Sequence, residues 1–220
     1  MSDSTPLLVI GNKHYSSWSL RPWLLLRHFG VAFIERRLAL DSEQFRDEIH
    51  RWSPTGRVPA LHHDGMMLWD SLAICEYVNE TWLEGRGWPN DKSLRALARC
   101  AAAEMHSGFA ALRQQLPMNC SRQADAYRWD ADAQHDIDRL QRLWTDLLQL
   151  SQGPFLAGQF GIVDAMFAPV AIRCRGYGVE LSASTQGYVD MLLALPAMVE
   201  WIDAGIAEPE RLPKYETLGR

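Results

Sequence analysis

The stretch PTGRVPALHHDGMMLWDSLAICEYV, Pro54 to Val78, decides the reading of this chain. Val58-Pro-Ala-Leu and Met66-Met-Leu are short apolar runs separated by His63-Asp64-Gly65, and an Asp-Gly step between such runs predicts a hairpin. Pro59 has no N–H to give to a ladder, so the backbone of Val58 is left available at the start of the first strand. Asp70 and Ser71 precede Leu72, Cys75, Val78 and Trp82, which recur at helical spacing. A helix N-terminus there presents free N–H groups and a partial positive charge. An available valine backbone beside an acidic-Ser helix start suits a small zwitterionic peptide with a carboxylate.

Toward the N-terminus, Pro6 to Gly11 is an apolar run suited to a buried strand, and Asn12 to Trp18 is polar and loop-like. Ser19 is expected to cap a helix that tolerates Pro22 in its first turn and stops at Gly30. Ala32 to Leu40 alternates like a strand, and Ser42 to Trp52 reads as a polar helix ended before Pro54. Residues 1–84 therefore spell β-α-β-α-β-β-α. EGRGWPND, with two glycines and a proline, breaks the pattern, and residues 85–91 are assigned as a linker. Residues 92–220 are expected to be all-helical: Lys92 to Leu116 as one helix closed by Pro117, then Asp130 to Leu150, Asp164 to Gly176, Val189 to Leu195 and Ala197 to Ala207. The fold class is α/β plus all-α, with a thioredoxin-like domain first.

Composition narrows the function. Charged residues make up 22% and the net charge is −5, with no Lys/Arg cluster, which argues against nucleic acid as partner. No apolar run approaches bilayer length and the N-terminus lacks a signal-peptide pattern, so a cytoplasmic protein is expected. The four cysteines contain no CxxC pair, and neither a disulfide framework nor structural zinc is expected. His62 and His63, adjacent on a strand, point to opposite faces and cannot chelate one ion together. Most of the nine tryptophans are expected in the core or at an interface.

A redox thioredoxin-like domain would carry CxxC after its first strand. Here the position holds Tyr15-Ser16-Ser17-Trp18-Ser19-Leu20-Arg21. A hydroxyl can stabilise another molecule's thiolate but forms no mixed disulfide, which shifts the chemistry from disulfide exchange toward thiol activation. At this point the chain resembles the cytosolic glutathione S-transferase family over nearly its whole length. YSSWSLRPWLLL is similar to the active-site segment of serine-type members, notably zeta, tau and bacterial kinds. PTGRVPAL resembles the family's P-x-G-x-V-P-x-L segment, WDSLAICEYV its acidic-Ser-x-Ala-Ile stretch, and FGIVDAMFAPV its F-(Ser/Thr)-x-x-Asp helix start.

The resemblance implies glutathione as co-substrate, no metal, a cis Pro59, and a homodimer. Val58 would pair with the cysteinyl unit. Ser71 would receive the γ-glutamyl carboxylate, Asp70 would approach the α-amino group, and Arg57 would touch the glycyl carboxylate. Taken alone, Asp70 and Ser71 are an ordinary helix start and Arg57 a solvated charge. A thiol of pKa about 8.5 is only a few per cent ionised near neutrality, and lowering that by about two units takes about 2.7 kcal/mol of preference for the anion. A serine hydroxyl, the helix N-terminus and Arg21 are the groups expected to supply it. Counting back from Arg21 as zeta and tau segments suggest gives Ser16, the favoured donor; theta segments give Ser17, and Tyr15 is a third candidate. Tyr15, Met105, Phe109, Leu112 and Arg113 are assigned to the electrophile pocket, although helix packing explains the last four equally well.

Three functions follow. The first is a transferase whose bound thiolate attacks a small hydrophobic electrophile. The second is a glutathione-dependent cis-trans isomerase of the maleylacetoacetate or maleylpyruvate type, with Trp18 standing where zeta members carry cysteine. The third is a non-catalytic interaction module. Gly161 stands where the family places Ser or Thr before Asp164, so Gly161→Ser is expected to be neutral or slightly stabilising.

Overall fold

The computed structural model describes residues 4–216. β1 (Leu7–Ile10), β2 (Ile34–Arg37), β3 (Ala60–His63) and β4 (Met66–Leu68) form one sheet in the order β2-β1-β3-β4. β1 runs parallel to β2 and antiparallel to β3, and β3 is antiparallel to β4. The parallel pair needs a crossover, and α1 (Ser17–His28) supplies it. Asp64 and Gly65, with φ of 48° and 74°, make the tight turn between β3 and β4. α2 (Glu43–Trp52) is capped by Ser42, whose hydroxyl accepts from Phe45 N–H at 3.0 Å. α3 (Ser71–Thr81) is capped by Asp70. The β-α-β-α-β-β-α order is thus the one the sequence predicts.

The helical region comprises α4 (Lys92–Ser107), α5 (Ala110–Gln115), α6 (Ala131–Ser151), α7 (Ile162–Tyr177), α8 (Ala183–Leu193), α9 (Pro196–Ala207) and the short α10 (Pro213–Glu216). α7 is its axis: every residue except Arg175 is buried. α1 packs on α3, α7 and α9, so one continuous core runs from Leu8 and Ile10 through Trp23 to Trp144 and Trp201. A smaller apolar cluster of Val9, Leu38, Ile49 and Ala60 fills the other sheet face, beneath α2. Three tryptophans, Trp23, Trp144 and Trp201, are fully buried, whereas Trp18 and Trp69 reach solvent.

Several predicted boundaries shift, among them the helix expected at Val189 to Leu195, which spans Ala183–Leu193, and local chemistry explains three of the shifts. α1 begins at Ser17 with Ser16 at the N-cap position, not Ser19. Ser19 is buried, and its hydroxyl is drawn inward to accept from Gly11 N–H at 3.1 Å. The single helix expected from Lys92 to Leu116 is two. Gly108 N–H closes α4 on Glu104 C=O at 2.7 Å, and Phe109 takes a left-handed φ of 55° that leaves its ring buried. That break re-aims α5. The helix predicted to start at Asp164 begins at Ile162, with the Asp164 carboxylate accepting from Gly161 N–H at 3.0 Å and from Leu156 N–H at 3.1 Å. Among the described residues, no helix is long and apolar enough to cross a membrane.

Candidate functional site

β1 ends at Ile10, and the chain turns through Asn12 into α1. Tyr15 and Ser16 N–H groups both donate to Asn12 C=O, at 3.2 and 2.8 Å, and this tight turn brings Ser16 to the mouth of a cleft. The Ser16 hydroxyl donates to Ser19 Oγ at 2.7 Å. Ser17, half-buried, is the first residue of α1. Both serines line a cavity of about 400 Å³ together with Tyr15, Trp18, Arg57 and Val58, closed by Arg113, Arg173 and Tyr215 from the helical region. A second cavity of about 580 Å³ shares Trp18, Arg57 and Val58 with the first and extends to Pro59, Asp70, Ser71 and His106. The predicted peptide-holding residues and the predicted hydroxyls therefore line one cleft, with Trp18 standing between its halves.

The half of the cleft lined by Val58, Pro59, Asp70 and Ser71 has the expected cis-proline and helix cap. The Val58–Pro59 bond is cis, and the paired ladder begins only at Ala60. Asp70 Oδ1 accepts from Leu72 and Ala73 N–H groups at 3.0 and 3.2 Å. Its other oxygen lies 2.6 Å from His106 Nε2, so a residue of α4 bridges onto the cap of α3. Ser71 is fully buried and its hydroxyl has no partner. An unmade bond at a buried hydroxyl costs about 1–3 kcal/mol. A ligand carboxylate at the α3 N-terminus would remove that cost, so these residues fit glutathione.

The three candidate hydroxyls are not equivalent. Tyr15 OH donates to Glu216 Oε1 at 2.5 Å and accepts from Leu212 N–H at 3.2 Å. Burial and the Glu216 carboxylate push its pKa up to about 12. It is pinned to the C-terminal segment, whereas Ser16 and Ser17 carry no such tie. His14, beside them, is fully buried between Gly205 C=O and Asn119 Oδ1, at 2.7 and 2.9 Å, and is structural. Burial raises the thiols of Cys75, Cys120 and Cys174, the last two to about 12, so none of these supplies a thiolate near neutrality. Among the described residues no group of three or more His, Cys, Asp or Glu is placed to hold a metal.

Of the residues assigned to the electrophile half, Tyr15 and Arg113 line the cavity. Met105, Phe109 and Leu112 instead pack in the main core and line neither half of the cleft. Sequence reasoning missed Ser19, Tyr215 and Arg173. Arg173 had a visible signal: a charge inside IVDAMFAPVAIRC, a helix segment otherwise apolar apart from Asp164. Arg21 does not line the cleft; it lies 1% exposed behind Trp18, its guanidinium 4.1 Å from the indole centre.

A thioredoxin-like domain joined to an all-α domain, with a cis-proline and an acidic-Ser helix start facing a serine turn, defines a thiol-peptide-dependent class of protein. Residues 15–81 match the N-terminal domain, and residues 80–204 the C-terminal domain, of glutathione S-transferase. The chain belongs to the glutathione S-transferase family. Among its relatives, maleylacetoacetate isomerase of Rattus norvegicus is 28% identical over 184 residues, covering 83% of this chain and 84% of that one. Glutathione S-transferase 1 of Dianthus caryophyllus is 28% identical over 173 residues, 76% of each chain. A Burkholderia glutathione transferase homolog solved with bound glutathione superposes with a TM-score of 0.70 at 24% identity, covering 93% of this chain and 100% of the other.

Proposed function

We propose that this chain is a glutathione-dependent enzyme that works on an electrophilic double bond as a cis-trans isomerase. The observation that carries the glutathione reading is the unpartnered, fully buried Ser71 hydroxyl at the start of α3, across the cleft from Val58 and cis-Pro59. In this reading Ser71 binds the γ-glutamyl carboxylate, Asp70 the α-amino group, Arg57 the glycyl carboxylate and Val58 the cysteinyl unit. When bound, glutathione supplies the thiolate that adds to the substrate and is later expelled. Ser16 donates its hydroxyl proton toward the sulfur, and the N-terminus of α1 contributes its partial positive charge. Ser17 is the second candidate donor.

The isomerase reading is favoured over transfer because maleylacetoacetate isomerases recur among the relatives, from rat, mouse, worm, fly and Vibrio. Transfer to a small electrophile is the second reading, favoured by Trp18 at the place where zeta-like members carry cysteine and by the Dianthus relative. Mass spectrometry of the product separates the two. Isomerised maleyl compound with glutathione regenerated supports the first, and a stable adduct from an aryl halide, without isomerisation, supports the second. Failure of glutathione to bind in calorimetry would leave the non-catalytic module.

The same reading assigns residues 1–84 to the glutathione domain, 85–91 to the linker and 92–220 to the electrophile side; positions 1–3 and 217–220 of these ranges lie outside the described residues. A cytoplasmic homodimer completes it, and sedimentation of the purified chain tests the assembly.

A further inference from the structure

The buried His14 imidazole meets an acceptor at each ring nitrogen. Nδ1 lies 2.7 Å from Gly205 C=O on α9, a group that can only accept. Nε2 lies 2.9 Å from Asn119 Oδ1, and the orientation of that amide is fixed from its other sides. Oδ1 accepts from Ser121 N–H at 2.9 Å, while Nδ2 donates to Glu216 Oε1 at 3.0 Å. The Ser121 hydroxyl, 3.1 Å from Nε2, donates to the same Oδ1 at 3.0 Å and turns a lone pair to the ring. A neutral imidazole carries one N–H and one lone pair, so here its lone pair would face an oxygen. An imidazolium satisfies both sides.

The surroundings suit that charge. Glu216 Oε1 lies 3.9 Å from Nε2, and the Glu208 carboxylate accepts from the Lys13 and His14 N–H groups at 2.9 and 3.2 Å. Cys120 also packs on this turn, its Sγ donating to Lys13 C=O, and burial pushes that thiol up to about 12, so it stays uncharged. The nearby cations turn elsewhere, Lys13 to Glu35 and Arg211 to the carbonyls of Ile206, Glu208 and Glu210. Three rings carry the contact toward the cleft: His14 lies 4.4 Å from Tyr15, Tyr15 lies 5.2 Å from Tyr215, and Tyr215 lines the cavity. Glu216 also accepts from Tyr15 OH. The pairs Lys214–Asp41 and Arg37–Glu210, which tie the same segment from outside, are solvated and weak.

We infer that His14 is a protonated clasp. Its imidazolium holds Asn119 and Glu216, and through them keeps residues 208–216 strapped across the cleft with Tyr215 as a wall. Closure is favoured while the ring is charged and is lost as pH rises through its titration, which frees the strap and withdraws Tyr215. This clasp is independent of the reaction proposed above.

The test follows the ring nitrogens of the full chain, labelled with ¹⁵N-histidine, by NMR over roughly pH 5 to 9. Amide hydrogen exchange of the peptide covering residues 208–216, corrected for its intrinsic rate, is measured alongside. Both His14 nitrogens should carry protons while the strap is protected. Loss of one should share a midpoint with a rise in strap exchange of about tenfold or more, the effect of losing a charge-assisted bond. Glu216→Gln keeps an acceptor for Tyr15 and Asn119 but removes the negative charge, so it should lower that midpoint by about one pH unit. His14→Gln should abolish the pH dependence of strap exchange. If His14→Gln does not fold, the shift in Glu216→Gln both assigns the His14 signal and carries the test. An unprotonated Nε2 in the protected state overturns the clasp. So does a midpoint that ignores Glu216→Gln, or wild-type pH dependence in His14→Gln. Peptides of α7 that lose protection at the same midpoint would also overturn it, because global opening then explains the release.

Discussion

The hydroxyl of Ser16 donates to that of Ser19 across 2.7 Å, and Ser19 in turn accepts from Gly11 N–H at 3.1 Å. For Ser16 to donate toward a thiolate its proton must swing away, and Ser19 is placed to donate to Ser16 in return. Ser16→Ala should therefore lower kcat/KM by roughly 10²-fold, comparable to loss of one donor to a developing anion. Ser19→Ala should lower it less, by about threefold to tenfold, while also leaving Gly11 N–H unpartnered. Thiolate absorbance of bound glutathione against pH checks both: the apparent thiol pKa should rise in each variant, more in Ser16→Ala. An unmoved pKa in Ser16→Ala transfers the role to Ser17.

Asp70 serves two purposes that substitution can separate. Asn at this position keeps an oxygen for the Leu72 and Ala73 N–H groups, but loses the charge that faces His106 and an incoming ammonium. Asp70→Asn should weaken glutathione binding by roughly tenfold with little change in melting temperature. Asp70→Ala should add a stability loss of about 1 kcal/mol from the missing cap. Calorimetric binding and thermal melts, run side by side, give the two readouts. Equal melting losses in both variants would mean that the charge, not the cap, holds α3.

Gly161→Ser reverses its sequence expectation. A Cβ on Gly161 would lie 2.6 Å from the Gly87 carbonyl oxygen, a backbone atom that also accepts from Ile162 N–H at 2.9 Å. Neither side can yield without breaking that bond, so the gain from a better cap is outweighed. A loss on the order of 1–3 kcal/mol is expected, with a fall in melting temperature of roughly 2–10 °C. An unchanged or higher melting temperature would show that the segment before α7 relaxes freely.

Asp164 makes stability depend on pH in an uncommon direction for a carboxylate. Burial raises its pKa from 3.8 to about 7, against the lowering effect of the Leu156 and Gly161 N–H bonds. Between these values the folded chain holds a proton that the unfolded chain has released. Its contribution is therefore fully present below pH 3.8 and is lost as pH rises through about 7. Denaturant unfolding from pH 4 to 7 should show a downward component that Asp164→Asn lacks, whatever that variant costs overall. A wild-type slope matching that of Asp164→Asn would place the folded carboxyl near its ordinary value.

Much of the first domain was legible because its signals are local. Asp64-Gly65 sets a turn by its own φ preferences, Pro59 limits ladder pairing, and Asp70 caps the helix that follows within three residues. Helix boundaries near the cleft were less legible because they depend on distant partners. Ser19 reads as a cap until Gly11 N–H claims its hydroxyl, and Lys92 to Leu116 reads as one helix until Phe109 is buried by a left-handed turn.

By itself, the sequence determined the β-α-β-α-β-β-α order, the helical second half and the turns and cap around Pro59 and Asp70, all consequences of short-range backbone preference and apolar spacing. Only the tertiary structure decided the half of the cleft lined by Arg113, Arg173 and Tyr215. It is assembled from α1, α5, α7 and the C-terminal segment, whose contacts span up to about two hundred positions, such as Tyr15 with Glu216. Whether a charged side chain is solvated or buried without a partner is a property of everything packed around it. Arg173 is one letter in the chain, and its unpartnered guanidinium exists only in the fold.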